Sequence, residues 1–463
     1  MKNFIIKTLG CKVNQFESEA IAAALISEGW RLADAGGPAD LCVVNTCTVT
    51  SRGAMQSRRL LRRLRREHPF AMVLATGCHA TLNAEELTAT GAVDCIVHHC
   101  AKYRIPEIVR SMEGAFTPGG PVRIVDQGER RDLFTRLSPA AVAGFRTRAF
   151  LRIQDGCNAF CAYCIVPHAR GPSVSMTPDR VMAALAALDA DGRREVVMAG
   201  IHLGLYGADL SPSVSLLELL ETVVRRRLVS RLRLSSIEPC ELTDDLLDLA
   251  AGTDMICDHF HLPLQSGSND VLGRMGRPYT AEVYADRVAA VRKRMPHAAI
   301  GADVLVGFPG ETTALFEETF RLVENLPVSY LHVFPFSPRP GTRAADMDNP
   351  VPAEEIKSRC ARLRDLGAEK KRAFCRHNYD RRVPALVEET PDRKTGLLKA
   401  VSTNYLSVLV KGPEALRGQL VNVRIGEQVE GLQVNGETDG YSDQSFMSRA
   451  LHPQPNHLVK YPG

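Results

Sequence analysis

The sequence is poor in the features that would mark a membrane protein, a secreted disulfide scaffold or a disordered chain. It has one tryptophan and 6% aromatic residues. No apolar run approaches the ~18 residues of a membrane span. The first residues, "MKNFIIKTLGCK", offer neither a long apolar stretch nor a small-residue cleavage site. A cytoplasmic protein that does not touch a membrane is therefore expected. The net charge of +4 over 463 residues is too small to argue for nucleic acid by itself, so the distribution of charge has to carry that question. Apolar content of 45% and charged content of 24% are ordinary for a globular chain. At ~100–200 residues per domain, the length suggests about three domains. Cysteine is abundant: the chain has 13, an odd number with tight local clustering. In a reducing compartment that pattern points to metal ligation or redox chemistry and away from disulfides.

Along the first ~115 residues, β-branched apolar runs such as "NFIIKTLG", "DLCVVNT", "AMVLATG" and "VDCIVHH" alternate with helical patterns, which predicts an open parallel α/β domain over 1–115. A stretch rich in glycine, proline and charge, 114–144, reads as a linker. From Phe150 six strand-like runs follow: "FLRIQDG", "REVVMAG", "RLRLSSI", "DHFHLPLQ", "AIGADVLVGFPG" and "YLHVFPFS". Six βα units are too few for a closed eight-unit barrel, so a partial (βα)6 barrel is expected over 145–378, with its site at the C-terminal ends of the strands. A basic helical stretch, "KSRCARLRDLGAEKKRAFCRHNYDRR", precedes four short strands that predict a small antiparallel β-barrel over 379–440. The tail from Tyr441 reads as poorly structured.

The chemistry lies in the cysteines. "DGCNAFCAYCIVPHARG" places Cys157, Cys161 and Cys164 in a C-x3-C-x2-C spacing just past the first barrel strand. Three thiolates can hold three irons of a cubane and leave the fourth open to a substrate. A zinc site completed by His168 is the structural alternative. A second set, Cys11, Cys47 and Cys78, occurs in "TLGCKVNQ", "VNTCTVT" and "ATGCHA", each just past a predicted strand. The strand ends of an open parallel sheet form one edge, so these distant thiols can converge there. Cys42 and Cys95 fall inside strands and read as small core residues. Cys100 also follows a strand and is the rival ligand. Seven arginines, Arg52, Arg58, Arg59, Arg62, Arg63, Arg65 and Arg66, crowd one predicted helix, either as a solvated face or as contacts to RNA phosphates.

The C-x3-C-x2-C loop on a six-stranded partial barrel resembles the radical S-adenosylmethionine superfamily. With "TLGCKVNQFESE", "VNTCTVT", "SSIEP" and "DVLVGFPGET", residues 1–440 resemble the radical S-adenosylmethionine methylthiotransferases, most closely the MtaB family. The resemblance implies a methylthiotransferase N-terminal domain, a radical core and a TRAM-like C-terminal domain. It implies two [4Fe-4S] clusters and S-adenosyl-L-methionine. Cys157, Cys161 and Cys164 would hold the catalytic cluster, and Cys11, Cys47 and Cys78 an auxiliary one that carries sulfur. S-adenosylmethionine contacts are implied at Tyr163, Ser236, Gln265, Asp303 and Phe334. The reaction implied is methylthiolation at C2 of N6-threonylcarbamoyladenosine, position 37 of the tRNA anticodon loop, by a monomer supplied with electrons by a flavodoxin or ferredoxin.

The chain departs from those relatives where "RGPSVSM" carries Val174 and Met176 in place of arginines, and His168 in place of an aromatic. Arg170 is then left alone to supply the positive charge expected there, and the fine substrate contacts rest on it. Related enzymes act on isopentenyladenosine or on a ribosomal aspartate, and the first of these is the alternative substrate. A noncatalytic, zinc-dependent tRNA-binding protein is the alternative from another class, and it leaves Cys11, Cys47 and Cys78 unexplained.

Overall fold

The computed structural model describes residues 2–34, 36–112, 116–131, 134 and 147–438. The first sheet contains β1 (Asn3–Thr8), β2 (Arg31–Leu32), β3 (Leu41–Thr46), β4 (Met72–Gly77), β5 (Cys95–Val97) and β6 (Arg123–Val125). All its pairs are parallel, in the order β2-β1-β3-β4-β5-β6. β3 and β4 are buried on both faces, which is why they read as unbroken apolar runs. Val43 and Leu74 face the layer containing helix Lys12–Ser27, while Val44 and Val73 face Leu61 and Leu64 of helix Ser51–Glu67. Thr50 caps the latter helix by accepting the Gly53 N–H at 3.1 Å. Cys42 and Cys95 are fully buried in these two layers.

The sixth strand, β6, lies inside the stretch read as a linker. Three residues flanked by Pro121 and Gly120 are too few to show a period, and only pairing with β5 identifies them. Positions 114, 115, 132, 133 and 135–144 of that stretch, and the tail from Tyr441, lie outside the described residues.

The six expected barrel strands are present: β7 (Ala149–Arg152), β10 (Glu195–Ala199), β11 (Arg231–Leu234), β12 (His259–Gln265), β13 (Ala299–Val306) and β14 (Tyr330–Pro335). They form two parallel sheets, β11-β10-β7 and β12-β13-β14, with an isolated parallel bridge from Leu232 of β11 to Ile256, just ahead of β12. A short antiparallel pair, β8 (Gln154–Asp155) and β9 (Val174–Ser175), clamps the two ends of the cysteine loop. Phe16, from the N-terminal domain, joins the barrel's own apolar core beside Phe150 and Leu151.

Helix Ala353–His377 leads to a closed barrel of β15 (Arg382–Val387), β16 (Leu398–Ser402), β17 (Ser407–Val410), β18 (Leu420–Glu430) and β19 (Gln433–Thr438). It is antiparallel except where β17 and β19 run parallel and close it. β19 escaped the sequence pattern because its Asn435-Gly436 pair reads as a turn. This barrel seals the N-terminal ends of the (βα)6 strands. Arg233 donates to the Ser402 and Thr403 carbonyls at 2.9 Å, and Arg231 to the Val401 carbonyl at 2.8 Å. Glu195 holds both arginines, and Tyr405 stacks on His259 with ring centroids 4.3 Å apart. Among the described residues no helix is long and apolar enough to cross a membrane.

Candidate active site

The cysteine loop leaves β8 through Gly156, at φ +76, where a Cβ would run into the Pro172 and Gly171 carbonyls. Only glycine permits that crossing. The Cys157 N–H donates to the Gly171 carbonyl at 3.1 Å and closes the loop onto itself. Each sulfur has a different environment. Cys157 Sγ lies 3.3 Å from His202 Nδ1, and His202 Nε2 lies 2.6 Å from Glu241. Burial opposes charge on this histidine, but the hydrogen bonds to Cys157 and Glu241 prevail and raise its pKa to about 9. Burial likewise works against the Cys157 thiolate, yet donation from His202 and from the Ala159 N–H holds its pKa below the usual thiol range. Arg277 donates to Cys161 Sγ at 3.2 Å and is itself held by Glu238. Among the described residues Cys164 has no cationic hydrogen-bond donor of this kind, and burial pushes its thiol up to about 12.

The second set forms along the first sheet's C-terminal edge. Cys11 caps helix Lys12–Ser27 after β1, Cys47 directly follows β3, and Cys78 directly follows β4. Since β1, β3 and β4 are adjacent, three thiols that lie far apart along the chain become neighbours. Gly10 permits the approach, since a Cβ there, at φ +98, would sit 3.0 Å from Cys47 Sγ. Gly77, at φ +96, does the same for Cys78 by letting the chain pass under Thr46. Burial, with the neighbouring Cys78 and Cys11 thiols, raises Cys47 to about 11. Cys100 faces away: its Sγ donates to the Asp126 carbonyl at 3.1 Å, and its charged neighbours are Asp126 and Arg130.

Among the described residues, no three of these thiols, alone or with His168, have all their ligand atoms within 4.8 Å of one another. Zinc with sulfur bonds of about 2.3 Å holds its ligands at roughly 3.8 Å, so a tetrahedral zinc site fits these positions poorly. His168 is exposed and stacks edge-on against Phe160, 5.8 Å away.

A buried ion network connects the two sets. Arg170 donates to Glu17 at 3.1 Å, Asp155 at 2.7 Å and Asn14 at 2.5 Å. Arg152 bonds the same two carboxylates, His99 lies 2.7 Å from Asp155, and Lys102 pairs with Glu17. Asp155 immediately precedes Gly156 and Cys157, and burial pushes the Cys78 thiol up while Arg170 and Lys102 act against it. Arg170 is therefore not the substrate-facing cation expected from the sequence. It is fully buried and committed to the seam between domains. The missed partners had one legible signal: Arg152 is a charge within an otherwise apolar strand, and such a residue needs a buried counter-ion.

The remaining expected residues fall into two groups. Ser236 Oγ lies 2.7 Å from His261 Nδ1, and Asp303 Oδ1 lies 3.1 Å from both His261 Nε2 and His332 Nδ1, so Ser236 and Asp303 belong to one cluster on the inner faces of neighbouring strands. Tyr163 lies apart, half-buried against the apolar cluster of Met275 and Phe308. Gln265 ends β12 in a left-handed conformation at φ +66, and Phe334 is exposed beside His332 at 6.3 Å. Along the arginine helix, Arg58 pairs with Glu86, Arg63 with Glu67 and Arg65 with Asp94, leaving Arg52, Arg59, Arg62 and Arg66 exposed, with Arg52, Arg59 and Arg66 at seven-residue intervals along one face. A cleft of about 550 Å³ opens beside it between Arg58 and Asn83 on one side and His168 and Arg339 on the other.

Residues 3–98 match the group described as "Uncharacterized protein family UPF0004", and 151–323 match the radical SAM superfamily. The chain is 36% identical to the threonylcarbamoyladenosine tRNA methylthiotransferase MtaB of Bacillus subtilis over 92% of its own length and 94% of that protein. It is 32% identical to the tRNA-2-methylthio-N(6)-dimethylallyladenosine synthase of Syntrophotalea carbinolica over 92% of its length and 97% of that protein. The radical S-adenosylmethionine methyltransferase TsrM of Kitasatospora setae has a similar fold, with a TM-score of 0.55 at 18% identity, covering 74% of this chain and 77% of that one.

Proposed function

The chain belongs to the radical S-adenosylmethionine tRNA methylthiotransferases, and on that premise we propose that it methylthiolates C2 of N6-threonylcarbamoyladenosine at tRNA position 37. It is an enzyme that transfers a methylthio group to tRNA, with S-adenosylmethionine and a [4Fe-4S] cluster as family cofactors. The observation that supports two clusters is the presence of two separate thiol triads joined by one buried ion network. In this reading Cys157, Cys161 and Cys164 hold the cluster that meets S-adenosylmethionine, and Cys11, Cys47 and Cys78 hold a second [4Fe-4S] cluster. The family cofactors supply the radical and the sulfur when bound.

The chain supplies position and charge. The Arg277 guanidinium and the His202 ring each donate to a ligand sulfur, which stabilises the thiolate form. Arg170 and Lys102 place fixed positive charge behind Cys78. Tyr163, Met275 and Phe308 form an apolar wall near the loop, and there Tyr163 would meet S-adenosylmethionine. Gln265 and Phe334, at strand ends, are further candidates for that contact. We place Ser236 and Asp303, both engaged with His261 inside the barrel, where S-adenosylmethionine and the tRNA base would meet.

The domains we assign are the parallel sheet through β6, the barrel to helix Ala353–His377, and the closed C-terminal barrel, which with the exposed arginine face would grip the RNA backbone. A monomer in the cytoplasm, reduced by a flavodoxin or ferredoxin, completes the reading. Mass spectrometry of tRNA nucleosides from a deletion strain tests it. The expected result is loss of 2-methylthio-N6-threonylcarbamoyladenosine and accumulation of its unthiolated precursor. Loss of the isopentenyl counterpart instead would transfer the assignment to that substrate.

A further inference from the structure

Lys12 has a position that the cluster chemistry does not explain. It follows Cys11 and opens helix Lys12–Ser27, one turn before Phe16. Residues four apart share a helix face. Phe16 lies in the apolar core of the barrel and under Arg152 of β7, so Lys12 is directed toward the barrel too. The charged groups that act on it belong to the barrel: Arg233, Arg148, Glu195 and Asp303. All four already have partners. Arg233 is tied to Glu195 and to carbonyls of the C-terminal barrel, and Arg148 to Glu388. Among the described residues Lys12 makes no hydrogen bond and no ion pair. Asp303 is paired with His261 and with the half-exposed His332.

Taking the half-buried ammonium out of water without a partner is costly, so a site built this way suits an anionic ligand group. Resting on the substrate reading above, we propose that Lys12 is a specificity residue that pairs with the carboxylate of the N6 substituent of the target base, while Asp303 and His332 take up its neutral hydrogen-bonding groups. A threonylcarbamoyl group carries a carboxylate, a hydroxyl and amide N–H groups. A dimethylallyl group carries none and would leave Lys12 desolvated and unpaired, the mismatch by which polar sites reject apolar analogues.

The test uses full-length, reconstituted enzyme and two anticodon stem-loops, one with the free threonylcarbamoyl acid and one with its methyl ester. Affinity is measured by competition binding, and product is measured alongside it. Wild-type enzyme is expected to prefer the acid by about tenfold to a hundredfold, the range of one charge-assisted pair. Lys12→Met should erase that preference, and Lys12→Arg should keep most of it. His332→Phe, remote in sequence from every cysteine, should weaken binding of acid and ester alike. Iron content, measured for each variant, separates loss of recognition from loss of cluster. Equal affinity of the wild type for acid and ester overturns the proposal and leaves the substrate reading standing, as does Lys12→Met with an undiminished preference. No product from wild type with either stem-loop overturns both.

Discussion

The two thiol triads are built in opposite ways. Cys157, Cys161 and Cys164 lie within one loop whose ends are tied by the β8–β9 pair and by the Cys157–Gly171 hydrogen bond. Cys11, Cys47 and Cys78 come from three separate strands and meet only because β1, β3 and β4 are adjacent. The loop triad depends on local backbone geometry. The edge triad depends on the whole sheet, with two glycines allowing close approach and a buried ion network behind it.

Cysteine substitution separates the triads most sharply. Replacing Cys157, Cys161 or Cys164 by alanine should abolish reductive cleavage of S-adenosylmethionine after anaerobic reconstitution, read as 5′-deoxyadenosine. The triple alanine variant of Cys11, Cys47 and Cys78 should bind about half the iron and still cleave S-adenosylmethionine, yet make no methylthiolated product. Unchanged iron in that variant would show that other thiols hold the second cluster.

Truncation before Val383 comes next in size, and it should harm the loop triad more than the edge triad. It removes Ser402, Thr403 and Tyr405 from the base of the barrel and exposes the Glu195–Arg233 pair. Losing partners of buried charge costs about 3–5 kcal/mol, so the melting temperature and the iron held by the barrel should fall together. A truncated protein with unchanged melting temperature would mean that the C-terminal barrel only contacts RNA.

Arg170→Met tests the connection between the triads. It leaves Glu17 and Asp155 short of a buried cation, at a cost of roughly 3–5 kcal/mol. Iron loss confined to the edge triad, seen by spectroscopy, is the expected sign of weakened docking. Acid should act on the same seam. Burial is the largest influence on His99 and lowers its pKa from 6.5 to about 4, so the unfolded chain binds the extra proton first. The stability this histidine contributes is present above pH 6.5 and is lost as pH falls toward 4, on the order of 3 kcal/mol over that window. Glu17 and Asp155 are held below the usual carboxylate range by Arg170 against the cost of burial, and their contribution disappears at still lower pH. His99→Gln should flatten the pH 4 to 6.5 part of the denaturation profile, and an unchanged slope would contradict the assignment.

The smallest expected effect is at His202. His202→Gln removes the charged donor to Cys157 but leaves the loop ladder intact, so S-adenosylmethionine cleavage should fall about tenfold to a hundredfold with iron retained.

Much of this was legible along the chain. Apolar β-branched runs marked all six barrel strands, and the turn residues before Cys11, Cys47 and Cys78 marked the ends of the strands that carry them. Short or ambiguous elements were not. The three residues of β6 and the Asn435-Gly436 pair in β19 lack a local period, and they became strands through pairing with partners already in place. The direction of side chains was also hidden: Cys100 follows a strand as Cys78 does, yet turns to Asp126.

The sequence by itself determined which residues could carry soft-metal chemistry and where the strands end, because thiol spacing and hydrophobic period are local properties. Tertiary structure alone decided the destination of the charges. Arg170 turned from the substrate into the seam because Glu17, from a helix 153 positions away, arrives there to meet it, and Lys12 reached the barrel because Phe16 anchors its helix in the barrel core. A buried charge can rest only where its partner is, and that partner's location is set by how the domains pack.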